Sequence, residues 1–166
     1  MTEDTIKKIC YTKEEVEIIE QDILFAREIG CRGIVIGALT TDFKVDLSLL
    51  KRWKIFAGSM YFTFNRAIDV VIDPFLSIKQ LIKLNVDCIL SSGQKEKAVD
   101  GINELKLWNQ NFRDQIHIMP GSGINKENCK LFKSEGFGFL HLSGSKKIPV
   151  SYTHLRAHET GRNLVC

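Results

Sequence analysis

The chain has 166 residues, 44% of them hydrophobic and 26% charged, a composition typical of one globular domain and unlike a disordered or collagen-like chain. Its longest apolar runs are far shorter than the roughly 18 to 20 residues of a membrane-spanning helix, and its start does not resemble a signal peptide. The net charge is +3, with Lys and Arg scattered among Asp and Glu. We therefore expect a cytoplasmic protein with neither a nucleic-acid nor a membrane partner.

The cysteines are widely separated in the sequence, at Cys10, Cys31, Cys88, Cys129 and Cys166. They form no CxxC pair, and no histidine stands at zinc-finger spacing from them. This pattern argues against a disulfide scaffold and against a metal site built from neighbouring residues. Buried or unreactive thiols are the favoured interpretation.

The last seventeen residues, 150–166, read VSYTHLRAHETGRNLVC and match the translation of a transposon-type sequencing adaptor with its variable index. We therefore predict one domain over residues 1–149 and an adaptor-derived tail over 150–166 that contributes nothing to fold or function. The tail contains His154 and His158, whose i, i+4 spacing could otherwise suggest a metal site on a helix.

Helix-like and strand-like segments alternate through the remaining chain, a pattern typical of parallel α/β proteins. Residues 13–29 carry apolar positions at helical spacing behind a capping box of Thr12 and Glu15, and predict a helix. Residues 33–39 are a short apolar run that predicts a strand covered on both faces. The pattern then predicts further helices over 46–56, 73–84, 98–109 and 125–134, and further strands over 60–65, 87–90, 115–119 and 138–142.

Five parallel strands would bring their carboxyl ends to one edge of the sheet, where α/β proteins place their chemistry. Polar or glycine-rich sequence follows every predicted strand, although turns and helix caps require the same residue types. The candidate ligand-binding residues at this edge are Asn65, Arg66, Asp69, Ser92, Gln94, Gly121, Ser122, Gly123, His141 and Ser143. Catalytic residues and metal ligands are not assigned.

The strongest local signal is PGSG at residues 120–123, between a predicted strand and a predicted helix. Glycines allow backbone N–H groups to face an anion, and LSGS at 142–145 follows the next strand. Together they predict an anionic ligand. No GxGxxG or GxxxxGK[ST] motif supports a dinucleotide or P-loop site.

Four side chains allow both a structural and a functional interpretation. Arg66 and Asp69 are three residues apart and could grip a ligand or form an internal ion pair that fastens the loop, the second being slightly favoured. His117 and His141 lie in predicted strands among apolar residues, where a structural core or edge histidine is favoured over a catalytic base.

Five segments together resemble the CutC copper-homeostasis family: GALTTDFKVD at 37–46, TFNRAIDVVIDP at 63–74, ILSSGQ at 89–94, IMPGSGI at 118–124 and FLHLS at 139–143. The resemblance covers about residues 10–149. It implies a partial TIM (β/α)8 barrel that contains strands four to eight with their helices and lacks the first three strands, so the chain is expected to be a fragment.

The resemblance implies a copper-homeostasis protein that binds or traffics copper. The cysteines proposed as copper ligands in animal members lie in the missing opening, so none of the present cysteines inherits that role. Composition alone offers Cys88 with Met60 or Met119 as soft donors for Cu(I). Asn65 stands where the family commonly has His, which removes any acid–base role at that position.

A second function remains open, namely a TIM-barrel enzyme acting on a phosphorylated or carboxylated small molecule. In that interpretation Gly121, Ser122, Gly123 and Ser143 hold the anion, and Arg66, Asp69 and Gln94 face the substrate. Whether the activity is enzymatic is left undecided. The full-length family member could form a homo-oligomer. For the present chain, five strands without the first three leave open sheet edges, which predicts poor solubility.

Overall fold

The computed structural model describes residues 10–142, and it shows an α/β chain with four parallel strands. The predicted tail at 150–166, the LSGS segment beyond Leu142 and the candidate residue Ser143 lie outside the described residues. In chain order the elements are helix α1 (Lys13–Glu28), strand β1 (Gly33–Ile36), α2 (Leu47–Ala57), β2 (Tyr61–Phe64), a 3₁₀ helix (Arg66–Val70), α3 (Pro74–Lys83), β3 (Cys88–Ser91), α4 (Ile102–Phe112), β4 (His117–Pro120) and α5 (Cys129–Ser134).

The sheet has the order β1-β2-β3-β4, and every neighbouring pair is parallel. The predicted parallel arrangement is therefore confirmed for four strands. The predicted strand over 138–142 is not formed within the described residues. Only an isolated parallel bridge joins His141 to Gly121 there, with the His141 N–H donating to the Pro120 carbonyl at 2.9 Å.

The predicted helix starts at Thr12, Asp46 and Asp73 are confirmed because each side chain accepts a backbone N–H of the first turn. Thr12 forms the full capping box with Glu15. Asp73 is followed by Pro74 at the first helical position, where the missing N–H of proline costs nothing. These starts depend on residues close in sequence.

The predicted boundaries of three elements are wrong. The first strand ends at Ile36, because residues beyond it turn back and pair Leu39 with Val45 in an antiparallel bridge. Helix α4 begins at Ile102 instead of 98, and α5 begins at Cys129 instead of 125. Before α5, the Asn125 side chain accepts the N–H groups of two following residues and holds a turn.

The hydrophobic core lies between the helices and one face of the sheet. Phe62, Phe64 and Ile89 fill it from the strands, while Trp53 and Trp108 fill it from α2 and α4. Side chains alternate between the two faces of a strand, so the intervening residues point to the opposite face.

That opposite face is open at the edge of the sheet. Val35 of β1 is 40% exposed and Tyr61 of β2 is 41% exposed. The expectation that the first strand is covered on both faces is therefore wrong, because residues 10–142 leave Val35 exposed on the face opposite the core. No helix in the described part of the chain is long and apolar enough to cross a membrane.

Candidate functional site

The loops that follow the carboxyl ends of the strands are fastened to one another in order around the sheet edge. Each loop makes at least one hydrogen bond to the next, through the pairs Phe43 and Ile72, Arg66 and Ser92, Ser122 and Ala98, and Pro120 and His141. The sequence placed candidate ligand-binding residues on four of these loops. The structure brings the described members together along one edge.

Asp69 is the centre of the tightest cluster, and its side chain is only 7% exposed. One carboxylate oxygen accepts from the Ser91 hydroxyl at 2.5 Å and from the Gln94 N–H at 3.2 Å. The other accepts from Arg66 Nε at 2.8 Å and the Ser92 hydroxyl at 2.9 Å. The Ser92 N–H reaches both oxygens at 3.1 Å. A carboxylate with this many donors fastens two loops and has little capacity left for a substrate.

Arg66 forms the predicted ion pair with Asp69 inside the 3₁₀ helix. Its Nη2 donates to the Ser92 hydroxyl at 2.7 Å and to the Lys95 carbonyl at 3.3 Å. The side chain is 43% exposed, and Nη1 has no hydrogen-bond partner among residues 10–142. The geometry supports the internal ion-pair interpretation and leaves one guanidinium nitrogen available to a ligand.

Asn65 and Gln94 both make structural hydrogen bonds. The Asn65 side chain caps the 3₁₀ helix by accepting the Ala67 N–H at 3.0 Å. Gly37 passes so close to this amide that a Cβ there would collide with the Asn65 Oδ1. Gln94 donates from Nε2 to the Val71 carbonyl at 2.9 Å. A ligand role for these two side chains stays a prediction.

The PGSG turn at residues 120–123 is tied to its neighbours on both sides. Gly121 donates its N–H to the Ser91 carbonyl at 2.8 Å, and Ser122 donates its hydroxyl to the Glu96 carbonyl at 2.8 Å. The helix expected directly after this turn begins only at Cys129 and spans six residues. Its N-terminus therefore does not adjoin the glycines.

The two histidines within the described residues are exposed. The His117 ring lies 4.9 Å from the Phe139 ring, and His141 forms its bridge to Gly121 at the candidate site. A fully buried core position is therefore wrong for both, since the sheet face and edge on which they lie are open. The prediction also allowed a position at the edge of the sheet, and both histidines lie there.

Cys88 is the buried thiol of the sheet, at 2% exposure. Burial raises the pKa of this thiol to about 11, so it stays protonated near neutral pH. In the sheet register it lies between Thr63 and His117, and Met119 lies two positions further along β4. Within residues 10–142 no three His, Cys, Asp or Glu side chains gather closely enough to hold a metal ion.

Sequence reasoning missed two residues of this edge. Ser91 donates its hydroxyl to Asp69 directly, but it is not among the candidate ligand-binding residues that the sequence placed at this edge. Lys97 packs against Gly123, although the Lys-Glu-Lys run that contains it is typical of an ordinary exposed loop. Neither contact has a local signal, because the partners are more than twenty residues away.

Comparisons with known proteins agree with the geometry. The model of the CutC family matches residues 6–147. A CutC family protein of Pasteurella multocida is 41% identical over 135 residues, covering 81% of this chain and 55% of the relative. A CutC family protein of Yersinia pestis is 34% identical over 152 residues, covering 91% of this chain and 60% of the relative. The chain thus spans little more than half the length of these relatives.

A solved structure shows the same fold. The crystal structure of CutC from Streptococcus agalactiae, described as a proposed copper homeostasis protein, superposes with a TM-score of 0.76 at 29% sequence identity. The match covers 80% of this chain and 65% of that one.

Proposed function

Because this chain belongs to the CutC family, we propose that it acts in copper homeostasis, as part of a protein that binds or traffics copper ions in the cytoplasm. The observation that carries the proposal is the family match over residues 6–147, together with the copper-homeostasis description of the Streptococcus agalactiae relative.

The proposal extends to the architecture. The four parallel strands, in sequential order and with an isolated bridge at His141 where a fifth would lie, would correspond to strands four to eight of a (β/α)8 barrel. The open sheet face at Val35 and Tyr61 would then be the barrel interior. In such a barrel, the edge that carries Arg66 and residues 120–123 is the mouth.

Copper would be the cargo of this protein. We propose Cys88 as the thiol that binds the copper ion. Cu(I) prefers thiolate and thioether ligands, and Met119 lies on the neighbouring strand of the same sheet face. Because burial raises the pKa of Cys88 to about 11, Cu(I) must displace a proton from it.

We expect the Cu(I) affinity of the full chain to rise about tenfold per pH unit between about pH 7 and 9, since one thiol proton leaves on binding. Competition with a chromogenic Cu(I) chelator measures this slope. Cys88→Ser should weaken binding and remove the slope. Cys129→Ser is the matched control. Cys129 lies at the start of α5, outside the sheet, and its thiol contacts the Lys126 carbonyl. A slope unchanged in Cys88→Ser would contradict the role of Cys88.

One observation favours a second function, an enzyme that acts on a phosphorylated or carboxylated small molecule. Arg66 lies half exposed at the proposed mouth, with Nη1 unused by residues 10–142. Its Nη2 donates to the glycine-containing loop after β3, and the glycine-containing loop after β4 is bonded to that loop through Ser122. This arrangement suits an anion more than a soft metal ion.

The anion interpretation predicts that Gly123→Asp weakens binding of inorganic phosphate at least about tenfold, because a carboxylate then repels the ligand. Gly136→Asp is the matched control. Both glycines have a positive φ, of 72° and 82°, and a Cβ at Gly136 meets open space. Calorimetric titration of phosphate into the full chain, carried on a soluble fusion protein, measures both variants. Equal affinity in Gly123→Asp and the unaltered chain would refute the anion site.

A further inference from the structure

The loop after β3 places Lys97 in a fixed position at the carboxyl edge of the sheet. Its two chain neighbours are both bonded to Ser122: the Glu96 carbonyl accepts the Ser122 hydroxyl at 2.8 Å, and the Ala98 N–H donates to the Ser122 carbonyl at 3.0 Å. The carbonyl of Lys97 accepts the Asp100 N–H at 3.1 Å. The backbone that carries the lysine is therefore fixed on both sides.

The stem of Lys97 lies across Gly123. A Cβ at Gly123 would lie 3.3 Å from the lysine Cγ and 3.5 Å from its Cδ, and the φ of this glycine is +72°. A larger residue would crowd the lysine stem and would also be strained in this backbone conformation. The last two residues of PGSG thus form a platform for the lysine side chain.

The charges at this edge differ in how far they are compensated. Arg66 is paired with Asp69 at 2.8 Å, so its charge is largely neutralised. Lys97 is exposed and forms no ion pair with any residue between 10 and 142. An uncompensated cation attracts an anion more strongly than a cation that already has a carboxylate partner.

We propose that Lys97 binds the anionic group of the ligand, and that Ser122 and Gly123 are positioning residues that hold it. The inference rests on the anion-binding function proposed above. A lysine ammonium acts as a point charge and suits a phosphate group, whereas bidentate recognition of a carboxylate needs an arginine fork. Since Arg66 already uses Nε and Nη2 internally, the ligand class is a phosphorylated small molecule.

The test is a titration of inorganic phosphate into the full chain at low ionic strength, with the chain carried on a soluble fusion protein and the carrier alone as blank. Lys97→Met should weaken phosphate binding at least about tenfold, and Lys97→Arg should restore most of it. Lys79→Met removes the same charge from an exposed position on α3 and should leave binding unchanged. Gly123→Ala should also weaken binding, because it displaces the lysine stem.

The outcomes separate this inference from the function it rests on. Phosphate binding that is equally strong in Lys97→Met would overturn the role of Lys97 and leave the anion site standing. Absence of phosphate binding in the unaltered chain would overturn both. Acetate bound as tightly as phosphate would overturn the ligand class. Thermal unfolding of each variant, matched to the unaltered chain, assigns a loss of affinity to the site.

Discussion

Replacing Asp69 by alanine is expected to lower the free energy of unfolding by about 3 to 5 kcal/mol. The carboxylate is almost fully buried and accepts hydrogen bonds from Arg66, Ser91, Ser92 and Gln94. Its removal leaves a guanidinium and several buried donors without their acceptor, and each unsatisfied donor costs free energy. Urea unfolding of the full chain, carried on a soluble fusion protein that lacks tryptophan and followed by the fluorescence of the buried Trp53 and Trp108, measures the loss.

The matched control for this prediction is Asp42→Ala. Asp42 also forms an ion pair, with Lys44 at 2.5 Å, but both side chains are more than half exposed. Exposed pairs of this kind contribute about 0 to 1 kcal/mol. If Asp69→Ala is no more destabilising than Asp42→Ala, Asp69 does not fasten the loops.

The parts of the fold that the sequence predicted depend on neighbouring residues. At Thr12, Asp46 and Asp73 the side chain accepts the backbone N–H of the residue three positions later. The signal for these helix starts therefore lies within four consecutive residues. The parallel order follows from alternating helices and strands with no room for tight hairpins. These features required no knowledge of the tertiary contacts.

The late start of helix α4 involves a partner distant in sequence. The sequence predicts a helix from residue 98, yet Ala98 donates its N–H to the Ser122 carbonyl, and a Cβ at Gly101 would collide with the Ser92 carbonyl. Helix α4 therefore starts later than predicted. In the same way, the candidate residues Arg66 and Asp69 were predicted correctly to pair, but their bonds to Ser92 span more than twenty residues. Contacts of this kind cannot be deduced from local pattern.

The second large expected effect is self-association of the full chain, which follows from the exposed edge of strand β1. Among residues 10–142, β1 pairs only with β2, and its outer edge offers unpaired N–H and carbonyl groups. Val35 and Tyr61 expose apolar surface on the adjoining open face. Light scattering after size-exclusion chromatography should therefore find most of the chain in large aggregates.

Val35→Lys should shift the chain toward smaller species, because a charge on the open face beside the edge strand opposes edge-to-edge pairing. Ile72→Lys is the matched control: Ile72 is also an exposed hydrophobic residue, but it lies in the loop before α3 and away from the strand edge. It adds the same charge and should leave aggregation nearly unchanged. Equal improvement by both variants would assign the effect to net charge and not to the edge. A monodisperse monomer with cooperative thermal unfolding would show that the open edge and face are not enough to drive association.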